Sequence, residues 1–214
     1  MHKHKVAFLL DKNNNWFEKY LKRAKLNKKK YIFKFFSDYR KIQKQNIVMI
    51  LSYTKILPSD FLNKNQLNVV IHSSKLPKDK GFAPLSYQIL RGKNKIYNTM
   101  FKISEKVDSG PIIILNSFNV SKTDLYPELR KKQAISIIKM IRNFLDLYPN
   151  LKYRNQKGIG SFNKKRNYLS SKLNINKSIK SQFNLLRICD NEKFPAFFYV
   201  NNKKYILKIF HDKD

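Results

Sequence analysis

The sequence predicts an α/β fold: a doubly wound, mostly parallel sheet over residues 1–155, followed by a small C-terminal helix-plus-hairpin cap over residues 156–214. Three observations carry this expectation. Short apolar runs alternate with helical stretches through the first half, an order that gives a parallel sheet covered on both faces. A chain of 214 residues that is 42% hydrophobic can bury a full core. After Asn155 the texture changes, and a polar stretch gives way to one helical pattern and two apolar runs split by Asn201 and Asn202.

Residues 6–10 form the first buried strand, and the polar turn 13–15 leads into a helix over 16–26 with Trp16, Tyr20 and Ala24 on one face. Strands over 31–36 and 47–53 follow. Pro58 opens a short helix, because its fixed φ suits a first turn, and the apolar run 67–71 leads into His72. A helix over 84–91 stops at Gly92, and two strands are expected over 97–103 and 111–115. The longest helix runs from candidate caps Ser121 and Thr123 to a stop at Pro149, with Leu129, Ile137, Ile141, Phe144 and Leu145 on its apolar side. Residues 156–172 read as polar loop. Ile179, Phe183 and Leu186 then mark a short helix, and the hairpin closes the chain.

Composition narrows the partners. No run approaches the roughly 18 apolar residues that span a bilayer, so no membrane partner is expected and the cytoplasm is the expected location. The single cysteine, Cys189, excludes an intramolecular disulfide and a thiolate metal cluster, and reads as a small buried hydrophobe. A formal charge of +31 points first to nucleic acid. Yet only 8 of the 45 basic residues are Arg, and the lysines are spread end to end in a chain rich in Lys, Asn and Ile, whose codons are rich in A and T. Nucleic acid is therefore not the expected partner, and the run Lys28 to Lys30 reads as a solvated turn. Such a field still attracts anionic small ligands.

The candidate chemistry is concentrated. Of five glycines and seven prolines, Gly81, Gly92, Gly110, Pro77, Pro84 and Pro111 all fall between residues 77 and 111, where loops that position side chains need such punctuation. His2, His4 and His211 lie in terminal segments, leaving His72 as the histidine embedded in patterned sequence. It stands at the end of an apolar strand, where open α/β sheets bind ligands, although a hydrogen-bonded core histidine would read the same way. One histidine without neighbouring Cys or Glu predicts no metal.

The segment His72-Ser-Ser-Lys-Leu-Pro77, with Gly81, Pro84, Gly92, Thr99 and Val107-Asp108-Ser109-Gly110, resembles the N10-formyltetrahydrofolate-dependent formyltransferase family. Serine two residues after the histidine, Leu-Pro at four and five, glycine at nine and proline at twelve all match the family spacing, and Asp-x-Gly follows. Residues 52–58, Ser-Tyr-Thr-Lys-Ile-Leu-Pro, are similar to the segment that walls the family's pterin pocket. The resemblance covers roughly residues 47–116 and implies a Rossmann-like domain. It implies that an amine attacks the formyl carbon of N10-formyltetrahydrofolate as co-substrate, that His72 stabilises the developing oxyanion, and that Asp108 orients the imidazole or takes the proton. Tyr53, Ile56, Leu57, Ile103, Val107 and Asp108 are implied to bind the folate, and Ser74, Lys75 and Lys80 the acceptor.

One position departs from the pattern. The family carries asparagine two residues before its histidine, where this chain has Val70. Asn68, four residues before His72, is the candidate replacement; a bulge would have to bring it closer, and the alternative is a turn residue capping the preceding loop. A subgroup of sugar formyltransferases reading Asn-x-x-x-His-x-Ser-x-Leu-Pro is similar. The 59 residues 156–214, with Arg187, Phe194, Pro195, Phe197 and Phe198, resemble the reduced tail of nucleotide-sugar enzymes, in which Arg187 would clamp a diphosphate and Phe194 would stack on a base. The phenylalanines could equally pack the tail onto the main domain. The implied acceptor is a nucleotide-linked amino sugar such as a 4-amino-4,6-dideoxyhexose. Methionyl-tRNA formyltransferase is the runner-up, a catalytically impaired folate or nucleotide binder is the third reading, and a homodimer is admitted.

Overall fold

The apolar runs pair into one central sheet, and the computed structural model describes residues 3–212 of the chain. In chain order the elements are β1 (His4–Leu10), α1 (Glu18–Lys22), β2 (Tyr31–Phe36), β3 (Ile47–Leu51), α2 (Ser59–Asn63), β4 (Leu67–His72), β5 (Lys80–Gly81), α3 (Pro84–Leu90), β6 (Lys95–Lys102), β7 (Ile112–Asn119), α4 (Tyr126–Leu147), β8 (Phe162–Asn163), α5 (Ile179–Arg187), β9 (Ala196–Val200) and β10 (Lys203–Leu207). Residues 1–2 and 213–214, at the outer ends of the two expected units, lie outside the described residues, and His2 with them.

The six-stranded sheet has the order β2-β1-β3-β4-β6-β7. The first four strands are mutually parallel, β6 runs antiparallel to β4, and β7 antiparallel to β6. Period-two alternation sends Val6, Phe8, Met49, Leu51 and Val69 to one face, beneath α1 and α4, and Ala7, Leu9, Val48 and Ile50 to the other, beneath Phe61 of α2 and Ile42. Burial on both faces explains why β3 is apolar at every position. The strand order reverses between β1 and β3, so a crevice opens beyond the carboxyl ends of these strands and of β4.

Several expectations shift. The first helix keeps its predicted face, since Trp16, Tyr20 and Ala24 pack on the core, but α1 spans only Glu18–Lys22. The Asn27 side chain accepts from the N–H groups of Lys29 and Lys30, and that turn redirects the chain into β2. Strand β3 ends at Leu51, two residues early, because Ser52 takes a left-handed φ of 53°. At α4 neither Ser121 nor Thr123 is the cap; Glu128 accepts from the Leu125 N–H instead. His4 is part of β1 and packs edge-on against Tyr148, while His211 lies 3.8 Å from Glu128. The hairpin turn is as expected, with Asn201 and Asn202 both at positive φ.

Residues 156–163, read as the start of a polar loop, make with Arg154 a latch on the first half of the chain. Arg154 pairs with Ile112 through both backbone hydrogen bonds, β8 runs parallel to β5, and Ser161 N–H donates to the Pro77 carbonyl. Among the described residues no helix is long and apolar enough to cross a membrane, and no cluster of His, Cys, Asp and Glu could hold a metal.

Candidate active site

Strand β4 delivers His72 to the carboxyl edge of the sheet, where its side chain is 9% exposed. Its Nε2 lies 2.7 Å from the Asp79 backbone oxygen. A carbonyl can only accept, so Nε2 carries the proton and Nδ1 is the nitrogen left for chemistry. Nδ1 faces Asp108 Oδ2 at 3.8 Å, longer than a hydrogen bond.

Backbone geometry that few sequences tolerate holds Asp108 there. It takes a left-handed φ of 49°, and its carboxylate accepts from the Gly81 N–H at 2.8 Å. A methyl group on Gly110 would lie 1.7 Å from the Lys102 carbonyl oxygen, so the glycine of Asp-x-Gly is dictated by backbone packing against β6. Gly81 combines a φ of 82° with a Cβ position 2.6 Å from the Phe162 ring. Asp79 and Ala83 are also left-handed, so strained backbone gathers around the pair.

A second tier fixes these loops. The Asp79 carboxylate is buried and pairs with Arg91 and Asn163, which fixes the carbonyl that orients His72. Gln156 donates through Nε2 to the backbone oxygens of both Asp108 and Gly110, at 3.0 and 2.9 Å. Ser161 Oγ accepts from the Asp79 N–H. Sequence reasoning missed Asp79, Arg91, Gln156 and Ser161, although one signal was present: Gly158 and Gly160, the two glycines outside the cluster at 77–111, lie in the latch, and a methyl on Gly160 would touch the Pro77 oxygen at 3.2 Å.

The expected folate residues fall into two groups. Tyr53, Leu57 and Ile103 share one apolar cluster with Val70, while Ile56 and Val107 are 88% and 58% exposed on the loops flanking it. Lys80 Nζ donates to Ser109 Oγ at 2.8 Å, which puts a half-buried cation beside Asp108. Lys75 is exposed, with its ammonium over the Tyr97 ring. Ser74 is wholly buried; its N–H reaches the His72 carbonyl and its own carbonyl accepts from Thr99, so it shapes the turn and presents no surface.

Three expected residues sit elsewhere. Asn68 does not reach His72: β4 runs in unbroken register against β3, and the Asn68 amide donates to the Leu62 carbonyl at 2.7 Å. It closes the end of α2, the turn role. Arg187 is 2% exposed and donates to the backbone oxygens of Asp124 and Ser121 and to Asn184, so its fork fastens α5 to the loop before α4 and cannot clamp a diphosphate. Burial pushes its pKa down. Phe194 is 61% exposed before β9, in a turn closed by its N–H on the Asp190 carbonyl. Cys189 is buried just beyond α5, and burial pushes its thiol up.

Residues 18–141 match the family model described as formyl transferase. The methionyl-tRNA formyltransferase of Buchnera aphidicola is 27% identical over 170 residues, covering 74% of this chain and 49% of that protein. The chain spans about half or less of the curated relatives it matches. Among solved structures, methionyl-tRNA formyltransferase from Clostridium thermocellum superposes with a TM-score of 0.83 at 18% identity, over 98% of this chain and 94% of that one. A 4-N formyltransferase from Francisella tularensis gives 0.76 at 16% identity over 100% of both chains. HypX from Aquifex aeolicus in complex with tetrahydrofolic acid gives 0.74 at 16%, over 97% of this chain and 38% of that one. With its family model spanning more than half of its length and its fold shared with these enzymes, the chain belongs to the formyl transferase family.

Proposed function

We propose that the chain transfers a formyl group from N10-formyltetrahydrofolate to the amine of a nucleotide-linked amino sugar, with residues 1–155 as the catalytic unit and 156–214 as its cap. The observation that carries this reading is the His72–Asp108 pair, a buried imidazole with one nitrogen committed to Asp79 and the other facing a carboxylate. The apolar wall fits a flat heteroaromatic ring: Tyr53, Leu57, Val70 and Ile103 form one surface, and exposed Ile56 and Val107 are available to fold over it. When bound there, the folate supplies an activated formyl carbon. His72, in its imidazolium form with Nε2–H held by the Asp79 carbonyl, then donates a hydrogen bond from Nδ1–H to the formyl oxygen as negative charge builds on it. Asp108 accepts the proton shed by the attacking amine, directly or through water, and passes it to N10 as the bond from N10 to the formyl carbon breaks. Because Asn68 is committed to Leu62, Lys80 is the further cation placed to support that charge.

An amino-sugar acceptor is supported by the fold match to a sugar N-formyltransferase from Shewanella over the whole of both chains, cap included. Methionyl-tRNA is the second reading, favoured by the Buchnera and Clostridium enzymes and by the charge of +31. The test is to incubate the protein with N10-formyltetrahydrofolate and either a panel of nucleotide-linked 4-amino sugars or methionyl-tRNA, reading formyl addition by mass. Addition to a sugar nucleotide is expected. Addition to the tRNA alone would replace the proposed acceptor with the second one.

A further inference from the structure

With Arg187 committed to the fold, the phosphates of the proposed acceptor need another partner. We propose that Arg130 is an oxyanion-binding residue that grips the phosphoryl group of the acceptor; the identity of the acceptor rests on the function proposed above, while the anion site stands on its own observations. Arg130 lies on the second turn of α4, and its guanidinium lies over two aromatic rings, with Cζ 4.6 Å from the centre of Trp16 and 5.0 Å from that of Tyr126. One amino group donates to Gln133 Oε1 at 2.9 Å. The Nε is buried and has no hydrogen-bond partner among the described residues.

This arginine differs from the others that the fold holds in place. Arg40 and Arg91 have carboxylate partners, Arg166 donates to the Ser170 carbonyl, and Arg187 to two carbonyls. The acids near Arg130 in sequence or across the crevice are engaged elsewhere: Asp124 with Lys132, Glu128 with the Leu125 N–H, and Asp11 with Thr54 and the Asn13 N–H. Guanidinium has five N–H donors, and the described residues supply Arg130 with one acceptor, Gln133; the rest of this half-buried fork is left for an acceptor that the fold does not itself supply. Contact with the faces of two rings holds the guanidinium in place, and its planar fork matches phosphoryl oxygens.

Location ties this cation to the reacting centre. Gln133, the partner of Arg130, donates to Ser73 Oγ, next in the chain to His72. Trp16, beneath the guanidinium, donates to Ser52 Oγ at 3.2 Å, just beyond β3. Arg130 therefore stands over the carboxyl ends of β3 and β4, at the crevice where an open sheet binds its ligand, with exposed Lys12 beyond β1 adding charge.

The test is calorimetric titration of the full chain with inorganic pyrophosphate and with a nucleoside diphosphate at about 0.15 M salt, where the diffuse field of the lysines is largely screened. Arg130→Met should weaken both at least tenfold, and Arg130→Lys, which keeps the charge and loses the fork, should weaken them several-fold. Lys139→Met, which removes an exposed charge from the same helix, should change neither. Wild-type affinity in Arg130→Met, or an equal loss in Lys139→Met, overturns the proposal; should Arg130→Met fail to melt cooperatively, wild-type affinity in Arg130→Lys does the same. If Arg130→Met loses tRNA binding while pyrophosphate binding is unchanged, a small-molecule site is likewise overturned. Lost pyrophosphate affinity in a protein that formylates no amino sugar keeps the anion site and removes the proposed acceptor. Formylation of a sugar nucleotide with an unchanged KM in Arg130→Met keeps the acceptor and removes the site.

Discussion

The crevice beyond β4 and the helix α5 of the cap each present an arginine, half-buried in the first and buried in the second, and the two residues have opposite relations to their surroundings. Arg187 in α5 is saturated by backbone oxygens of the loop before α4. Arg130 at the crevice is stacked, half-satisfied and without a carboxylate. The same contrast separates Asn68, whose amide is used by Leu62, from His72, whose Nδ1 waits opposite Asp108. Polar groups that complete their hydrogen bonds inside the fold build the fold. At the crevice, His72 and Arg130 are held in place with hydrogen-bonding capacity left over, which a substrate can use.

Substitutions that break this comparison range from severe to slight. Gly110→Ala should be the most damaging, since its methyl overlaps the Lys102 carbonyl and the loop carrying Asp108 must move; a loss above about 4 kcal/mol in urea unfolding, or no folded product, is expected. Arg187→Ala should cost about 2–4 kcal/mol by leaving two backbone oxygens unpaired, while the folded fraction keeps its KM for the acceptor. A raised KM with unchanged stability would return Arg187 to the substrate. Asn68→Ala should be mildest, about 1 kcal/mol in stability from a lost hydrogen bond, with turnover near normal; a turnover loss of about 10²-fold would show that it serves the oxyanion after all.

Much of the frame was legible because it depends on short-range signals. Alternating apolar runs placed β1 to β4, and the spacing from His72 through Gly81 to Pro84 reports a loop whose backbone angles and close contacts admit few residues. Asn201 and Asn202 announced their turn through their tolerance of positive φ. Pairings far apart in sequence were not legible. Gln156 reaches Asp108 across 48 residues and Arg187 reaches Ser121 across 66, and nothing local to either residue says which backbone oxygens it will meet. Arginine at a tail position suits a phosphate or a carbonyl equally well, and only packing decides. Helix α1 was overestimated for a related reason: apolar residues continue to pack on the core at Ala24 and Leu26, past the last helical residue Lys22, as the chain approaches the turn that Asn27 makes.

The central claim is that transfer occurs at the His72–Asp108 pair. It is tested most directly by measuring turnover of a nucleotide-linked amino sugar by the wild-type chain, His72→Ala and Asp108→Asn, with melting temperatures recorded for all three. Each side chain makes one hydrogen bond to the backbone, His72 to Asp79 and Asp108 to Gly81, so both variants should stay folded with melting temperatures at most a few degrees lower, while turnover falls by about 10²-fold or more in each. Turnover within about tenfold of wild type in both variants would contradict the account, because a group on the reacting atoms contributes more than that.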